Sequence, residues 1–316
     1  MNRCYTRIFT LIAVFFFSFS LSGCMDLGLH SIPADELIKK YGDEYSHTIQ
    51  IDDVNLFYRD QGQGPVLLLI HGICASSLTW DGWVKELSPH YRIIRIDVPG
   101  FGISGPVKKE LYDRAAIVKF LDDFLNALKI DQVSIAGNSL GGYIAWNYAL
   151  DHPERVQKLI AVDPLSYNQD FPWIVSFSLN PFVQPIAKRI MPRFLIEMSV
   201  KQVYGDPSKI TEQTKDIYFD MAMREGNKES YINIFKVLKE KNKAETISNG
   251  IGQIKVPTLV MWGMKDRWIP FEFMAKWKRD LPGARFIAYE GAGHVPMEEI
   301  PEESAHDAHQ FLSSSK

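Results

Sequence analysis

The chain has 316 residues, 46% of them apolar and 23% charged. These are ordinary globular proportions, with length for one large α/β domain or two smaller ones. The formal net charge of −3, with no basic run or helical stripe of Lys and Arg, argues against nucleic acid as a partner.

Arg3 and Arg7 precede an apolar run at 8–21, rich in Phe. The run is short of the roughly 20 residues that span a bilayer comfortably, and its length and flanks suit a secretory signal. It ends in Leu21-Ser22-Gly23-Cys24, which resembles the bacterial lipoprotein processing box. That resemblance implies cleavage before Cys24, a lipid on Cys24, and an exported protein anchored to a bacterial membrane. Met25 in place of Asp after the cysteine favours the outer membrane where the cell has two. An uncleaved membrane anchor is the alternative, and it too puts the rest of the chain outside the cytoplasm. The expected organisation is a signal at 1–23, a spacer with a short helix at 24–46, and one domain at 47–316. Cys4 leaves with the signal and Cys24 is blocked, so Cys74 has no disulfide partner and reads as a small core residue.

From His47 onward, short β-rich runs alternate with helical patterns. Two early strands, near 48–51 and 55–59, are expected to form an antiparallel edge. Val66–Ile70 is an unbroken apolar run, with similar runs at Arg92–Ile96, 133–136, 159–162 and 258–261 and a weaker one at Arg285–Tyr289, as suits strands covered on both faces. Helical spacing between them (113–128, 143–150 and 302–312) predicts an α/β fold: a mostly parallel sheet of about eight strands flanked by helices. The regularity breaks at about 165–253, a stretch rich in aromatics, Met and Pro. It reads as an inserted helical cap over the strand ends, where open α/β sheets bind their ligands.

Gly137-Asn138-Ser139-Leu140-Gly141 fits G-x-S-x-G, follows the 133–136 strand and opens a helix. That context is what a nucleophile elbow requires, because a serine on a strained strand-to-helix turn needs glycines two before and two after it. Among eight histidines, only His294, in Gly291-Ala292-Gly293-His294 between the last strand and the last helix, is placed to reach Ser139 as base. Asp266, after the 258–261 strand, is the expected acid, in the chain order Ser, Asp, His. Asp163, just past the 159–162 strand, is its rival. The oxyanion donors are expected to be the backbone N–H groups of Leu140 and of Ile73, with Gly72 admitting the backbone and His71 bracing the loop. No metal-ligand cluster or phosphate loop stands out, so no metal or cofactor is expected.

His71-Gly72 with Trp80, Asp97-Val98-Pro99-Gly100-Phe101-Gly102-Ile103-Ser104, the elbow, Trp262-Gly263 to Asp266, and Gly293-His294-Val295-Pro296 to Pro301 resemble the α/β-hydrolase fold superfamily. The resemblance runs from about His47 to the C-terminus, and within the superfamily the chain looks like the capped esterase, lipase and monoacylglycerol-lipase-like group. It implies a Ser139–His294–Asp266 hydrolase of carboxylic esters, working through an acyl-enzyme on short or medium acyl chains or monoacylglycerols. A serine argues against epoxide hydrolases and haloalkane dehalogenases, which need a carboxylate nucleophile. Carbon–carbon bond hydrolases and cofactor-free haloperoxidases keep the serine triad and stay open. A non-catalytic surface binding protein is a third reading, although such proteins usually lose a triad member.

Overall fold

A computed structural model of the chain describes residues 26–107, 113–243 and 247–314. The expected signal at 1–23 and Cys24 lie outside the described residues. Eight strands form one sheet in the order β1-β2-β4-β3-β5-β6-β7-β8. They are β1 (Ser46–Ile51), β2 (Val54–Gln61), β3 (Val66–Ile70), β4 (Arg92–Ile96), β5 (Val133–Asn138), β6 (Val156–Val162), β7 (Thr258–Gly263) and β8 (Arg285–Tyr289). β1 and β2 run antiparallel at one edge and the rest are parallel, as a sheet built from right-handed crossovers requires.

The parallel strands are mostly apolar because alternate side chains enter two separate cores. Leu68, Ile70, Ile135, Leu159, Val260 and Trp262 face one core, with helices α3 (Arg114–Ala127), α4 (Leu140–Asp151) and α10 (Phe273–Asp280) packed over it. Leu67, Leu69, Ile93, Ala136, Ile160 and Met261 face the other, under α2 (Asp81–Leu87) and the C-terminal α12 (Pro301–Ser313). Local signals set the helix ends. Asp113 caps α3 by accepting the Ala115 N–H at 3.2 Å, and Pro301 opens α12, where a missing N–H costs nothing.

Between β6 and β7 the described chain is helical: α5 (Trp173–Ser178), α6 (Gln184–Ala187), α7 (Arg193–Val203), α8 (Glu212–Met223) and α9 (Asn227–Lys243), with short 3-10 turns. The segment expected as a spacer is instead packed against this cap. Its helix α1 (Ala34–Tyr41) buries Leu37, Tyr41 donates to Asp220 at 2.6 Å, and Ile32 bridges to Arg224. Apolar residues at one-turn spacing, too few to read as an amphipathic pattern, find their cover on the cap.

Strand register decides where the site falls. Ile70 pairs with Gly137, Asn138 with Val162, Val162 with Met261 and Gly263 with Tyr289. The carboxyl ends of β3, β5, β6, β7 and β8 therefore finish along one edge of the sheet. The loops that follow them converge there.

Candidate active site

Ser139 sits between the last residue of β5 and the first of α4, at φ 56° and ψ −117°. This is a left-handed backbone that a non-glycine residue holds only when its surroundings enforce it. The enforcement is visible. The Ser139 N–H donates to Val162 O at 3.1 Å, and its carbonyl accepts from Tyr143 and Leu165, each at 3.0 Å. A side chain on Gly137 would meet the Gly141 carbonyl, and one on Gly141 would meet those of Ile70 and His71. The two flanking glycines are thus required by backbone packing.

His294 lies on the loop between β8 and the short helix α11 (Pro296–Glu299). Its Nδ1 is 2.7 Å from Asp266 Oδ2, and both side chains are buried. A carboxylate can only accept there, which assigns the proton to Nδ1 and leaves Nε2 with its lone pair. Asp266 Oδ1 accepts two more bonds, from the N–H groups of Trp268 (2.7 Å) and Ile269 (3.0 Å). The elbow and the histidine loop are bolted together by Asn138, whose Nδ2 donates to His294 O at 2.9 Å and Val162 O at 3.2 Å.

Asp163, the rival acid, joins the same cluster. Ligand-type atoms of Asp163, Asp266 and His294 all lie within 4.8 Å of one another. Its Oδ1 accepts from the Gly263 N–H at 2.9 Å, and the residue is fully buried. Burial, then the neighbouring Asp266 charge, push the Asp163 carboxyl well above the usual carboxylate range. Two buried carboxylates this close cannot both ionise. Asp266 has three donors and Asp163 one backbone donor, so the proton of the pair belongs on Asp163.

The loop after β3 passes directly over the serine: a side chain on Gly72 would come within 3.0 Å of Ser139 Cβ. His71 braces this loop, its Nε2 accepting from the Val98 N–H at 2.9 Å and its Nδ1 lying 2.6 Å from Gly72 O. Burial lowers its pKa and holds the ring neutral. Ile73 follows on the cavity wall, and Leu140 is the first residue of α4, where an N–H has no partner within its own helix. Cys74, read from the sequence as core, lines the cavity beside Ile73. Burial pushes its thiol pKa up, so it stays protonated and weakly nucleophilic.

A cavity of about 150 Å³ opens against Asn138 and His294 and extends under the cap. Ile174, Val175, Leu195, Ile196, Val200 and Phe235 supply much of its wall, and no Lys, Arg, Asp or Glu lines it among the described residues. Glu299 was not legible as part of this site. It is buried, and its carboxylate accepts from Gly293 (2.8 Å), Gly205 (2.9 Å) and Asp206 (2.7 Å). His294 N–H also donates to Val203 O at 2.7 Å, so the end of α7 and the histidine loop form one hydrogen-bonded block. An acid in a Glu298-Glu299 pair looks like a solvated helix start, and nothing in the sequence marks it otherwise.

Sheet order, elbow and the His294–Asp266 pair are those of the α/β-hydrolase fold. A sequence profile of the alpha/beta hydrolase fold family matches residues 65–208. It is 27% identical to a 2-hydroxy-6-oxo-6-phenylhexa-2,4-dienoate hydrolase of Burkholderia cepacia, over 77% of this chain and 86% of the relative. A solved structure described as a membrane phospholipase A, a bacterial virulence factor, superposes with a TM-score of 0.73 at 25% identity, covering 99% of this chain and 98% of that one. A serine hydrolase involved in carbazole degradation superposes with a TM-score of 0.71 at 26% identity, covering 85% and 98%.

Proposed function

We propose that this protein hydrolyses carboxylic esters with an apolar acyl chain of short to medium length, including monoacylglycerols, through Ser139, His294 and Asp266. The observation that carries the reading is the uncharged, apolar cavity beside the elbow. Ser139 Oγ attacks the ester carbonyl while His294 Nε2 takes its proton. Asp266 holds the imidazole in the required tautomer and balances the imidazolium. The N–H groups of Ile73 and Leu140 receive the developing oxyanion. His294 then returns the proton to the leaving alcohol, and a water activated by the same nitrogen cleaves the acyl-enzyme.

A cavity near 150 Å³ is about the size that admits one benzene-sized apolar group. Each methylene it accepts adds about 0.8 kcal/mol, or roughly fourfold in kcat/KM, until the space is filled. Hydrolysis of acetate, butyrate, octanoate and palmitate esters tests this. Efficiency should climb from acetate to a middle length and then level or fall, whereas fastest turnover on acetate would remove the acyl-pocket reading.

The second reading, carbon–carbon bond hydrolysis, draws on relatives named as dienoate hydrolases in Burkholderia cepacia and Comamonas testosteroni. Their substrates carry a carboxylate, and an unpaired carboxylate in an apolar cavity is costly. The cavity wall offers no cationic side chain among the described residues, which favours the ester. Turnover of a 2-hydroxy-6-oxodienoate faster than of every ester in the series would reverse that choice.

Attachment to a membrane through a lipid on Cys24 completes the proposal. Its support is the Leu21-Ser22-Gly23-Cys24 box and the membrane phospholipase that superposes over nearly the whole chain. Mass spectrometry of the mature N-terminus tests it: a first residue other than a lipidated Cys24 rejects the box.

A further inference from the structure

Among the described residues, seven of the nine large apolar side chains that stand exposed fall in two short stretches: Leu27 and Leu29, then Trp173, Phe177, Phe182, Ile186 and Phe194. Phe182 is 88% exposed and Trp173 57%, more apolar surface than scattered exceptions account for. The second stretch runs along α5, α6 and the start of α7. The opposite sides of these same helices, at Ile174, Val175, Ala187 and Leu195, line the cavity. The exposed face and the cavity are thus two sides of one thin helical layer.

Charge on this layer is one-sided. Residues 171–196 contain Lys188, Arg189 and Arg193 and no Asp or Glu, in a chain whose net charge is −3. Lys188 pairs with Glu229, and Arg193 with Asp216 and with Glu197 of its own helix, while Arg189 is exposed and, among the described residues, its guanidinium bonds only to the Pro185 carbonyl one turn back. Apolar rings beside an unneutralised cation suit the interface of an anionic bilayer, where aromatic side chains settle at headgroup depth.

The start of the described chain points the same way. Asp26 accepts from the Arg193 N–H at 2.9 Å, and Gly28 is held against the Met191 carbonyl and by Lys228 on its own carbonyl at 2.7 Å. The described chain therefore begins against the junction of α6 and α7. Cys24 is two residues upstream, at most about 7 Å of extended chain. A lipid there would enter the bilayer beside the exposed rings.

We infer that the outer face of α5 and α6, with Leu27, Leu29 and Phe194, docks on a lipid bilayer and sets the cavity over the membrane surface. The surface follows from exposure, charge and the place where the described chain begins; the lipid on Cys24 and the identity of the lipid ester delivered rest on the function proposed above.

Tryptophan supplies the test, because Trp173 is the single exposed one of seven: Trp80, Trp83, Trp146, Trp262 and Trp277 are buried and Trp268 is half-buried on the cavity wall. Full-length protein is mixed with vesicles of phosphatidylcholine and phosphatidylglycerol in equal parts, with brominated acyl chains. Bromine should quench the emission, and Trp173→Phe should abolish the quenching. Phe177→Asp with Phe182→Asp should lower hydrolysis of an octanoate ester held in the vesicles at least tenfold, and turnover of a soluble butyrate ester less than twofold. Arg189→Glu should weaken quenching on the anionic vesicles more than on pure phosphatidylcholine.

Quenching that survives Trp173→Phe, or equal loss on both esters from Phe182→Asp alone, overturns the docking. So does a concentration-dependent dimer that Phe182→Asp disrupts, which would give the face to a second copy of the chain. Intact, Trp173-dependent quenching with no hydrolysis of either ester would reject the ester reading and leave the docking standing.

Discussion

Strand β3 and cap helix α5 carry similarly apolar sequences, VLLLI and WIVSFS, and dispose of them differently. Every β3 side chain beyond Val66 is buried, because the strand has β4 and β5 on its two edges and a helical layer over each face. In α5 only Val175 is buried, since one side of the helix lines the cavity and Trp173 and Phe177 on the other stand exposed. Apolar composition predicts burial where the topology supplies neighbours on all sides. In a one-layer cap the same composition leaves half of its surface to be satisfied by something else.

This contrast predicts where substitutions hurt, and by how much. The largest effect belongs to the body. Ser139→Ala should remove ester hydrolysis by roughly a thousandfold or more with the fold intact, checked by steady-state rates beside circular dichroism. More than a few per cent of wild-type activity in a folded variant breaks the assignment of chemistry to the sheet edge. Next, Asp266→Asn should cost on the order of 10³ in kcat, since the wrong imidazole tautomer is then favoured. Asp163→Asn should stay within about threefold, because Asn keeps a neutral acceptor and donor at φ 44°, a conformation Asn tolerates. Reversed severities would make Asp163 the acid.

A packing comparison comes third. Trp146 is fully buried under the sheet and donates to Leu165 O at 3.1 Å. Trp146→Ala should lower unfolding free energy by about 3–5 kcal/mol, while Phe182→Ser on the cap should change it by less than about 0.5 kcal/mol. Urea midpoints decide, and comparable losses would mean that the cap is as tightly built as the body.

The effect smallest per step is electrostatic. With the Asp163 carboxyl raised in the folded state, the native protein binds a proton that the unfolded chain releases, so stability falls as pH climbs above the ordinary carboxylate range. The charges facing it, Asp266 and Glu299, have the same sign. Relative to Asp163→Asn, the wild type should lose up to about 1.4 kcal/mol per pH unit from near pH 4 upward, until Asp163 itself ionises. Parallel stability curves between about pH 5 and about pH 8 would show Asp163 ionised throughout.

The same difference explains what could be read without coordinates. β3, β4 and β8 fall at their expected residues because short β-rich runs dominated by apolar residues have one reading in a covered sheet. β6 begins at Val156, earlier than the 159–162 run, since Gln157 and Lys158 interrupt it; Lys158 lies flat enough to donate to the Phe311 and Leu312 carbonyls at 2.9 Å. Helices α2 and α10 went unread, being seven and eight residues long, too short for a period to repeat. Ser139, Asp266 and His294 were legible because a strained turn and a loop histidine need particular neighbours in sequence. Asn138 and Glu299 were not, because their work is to hold backbone from distant segments, and such partners leave no local trace.

Glu299 has a mechanical consequence. One carboxylate gathers Gly293 from the histidine loop and Gly205 and Asp206 from beyond α7, so this end of the cap is a pivot fixed to the base of the reaction. Any swing wide enough to admit a substrate there would drag His294 from its partner. The far end, at α5 and α6, makes no hydrogen bond to the histidine loop among the described residues, so a shift there would leave the imidazole aimed. Alignment is thereby given to one end of the cap.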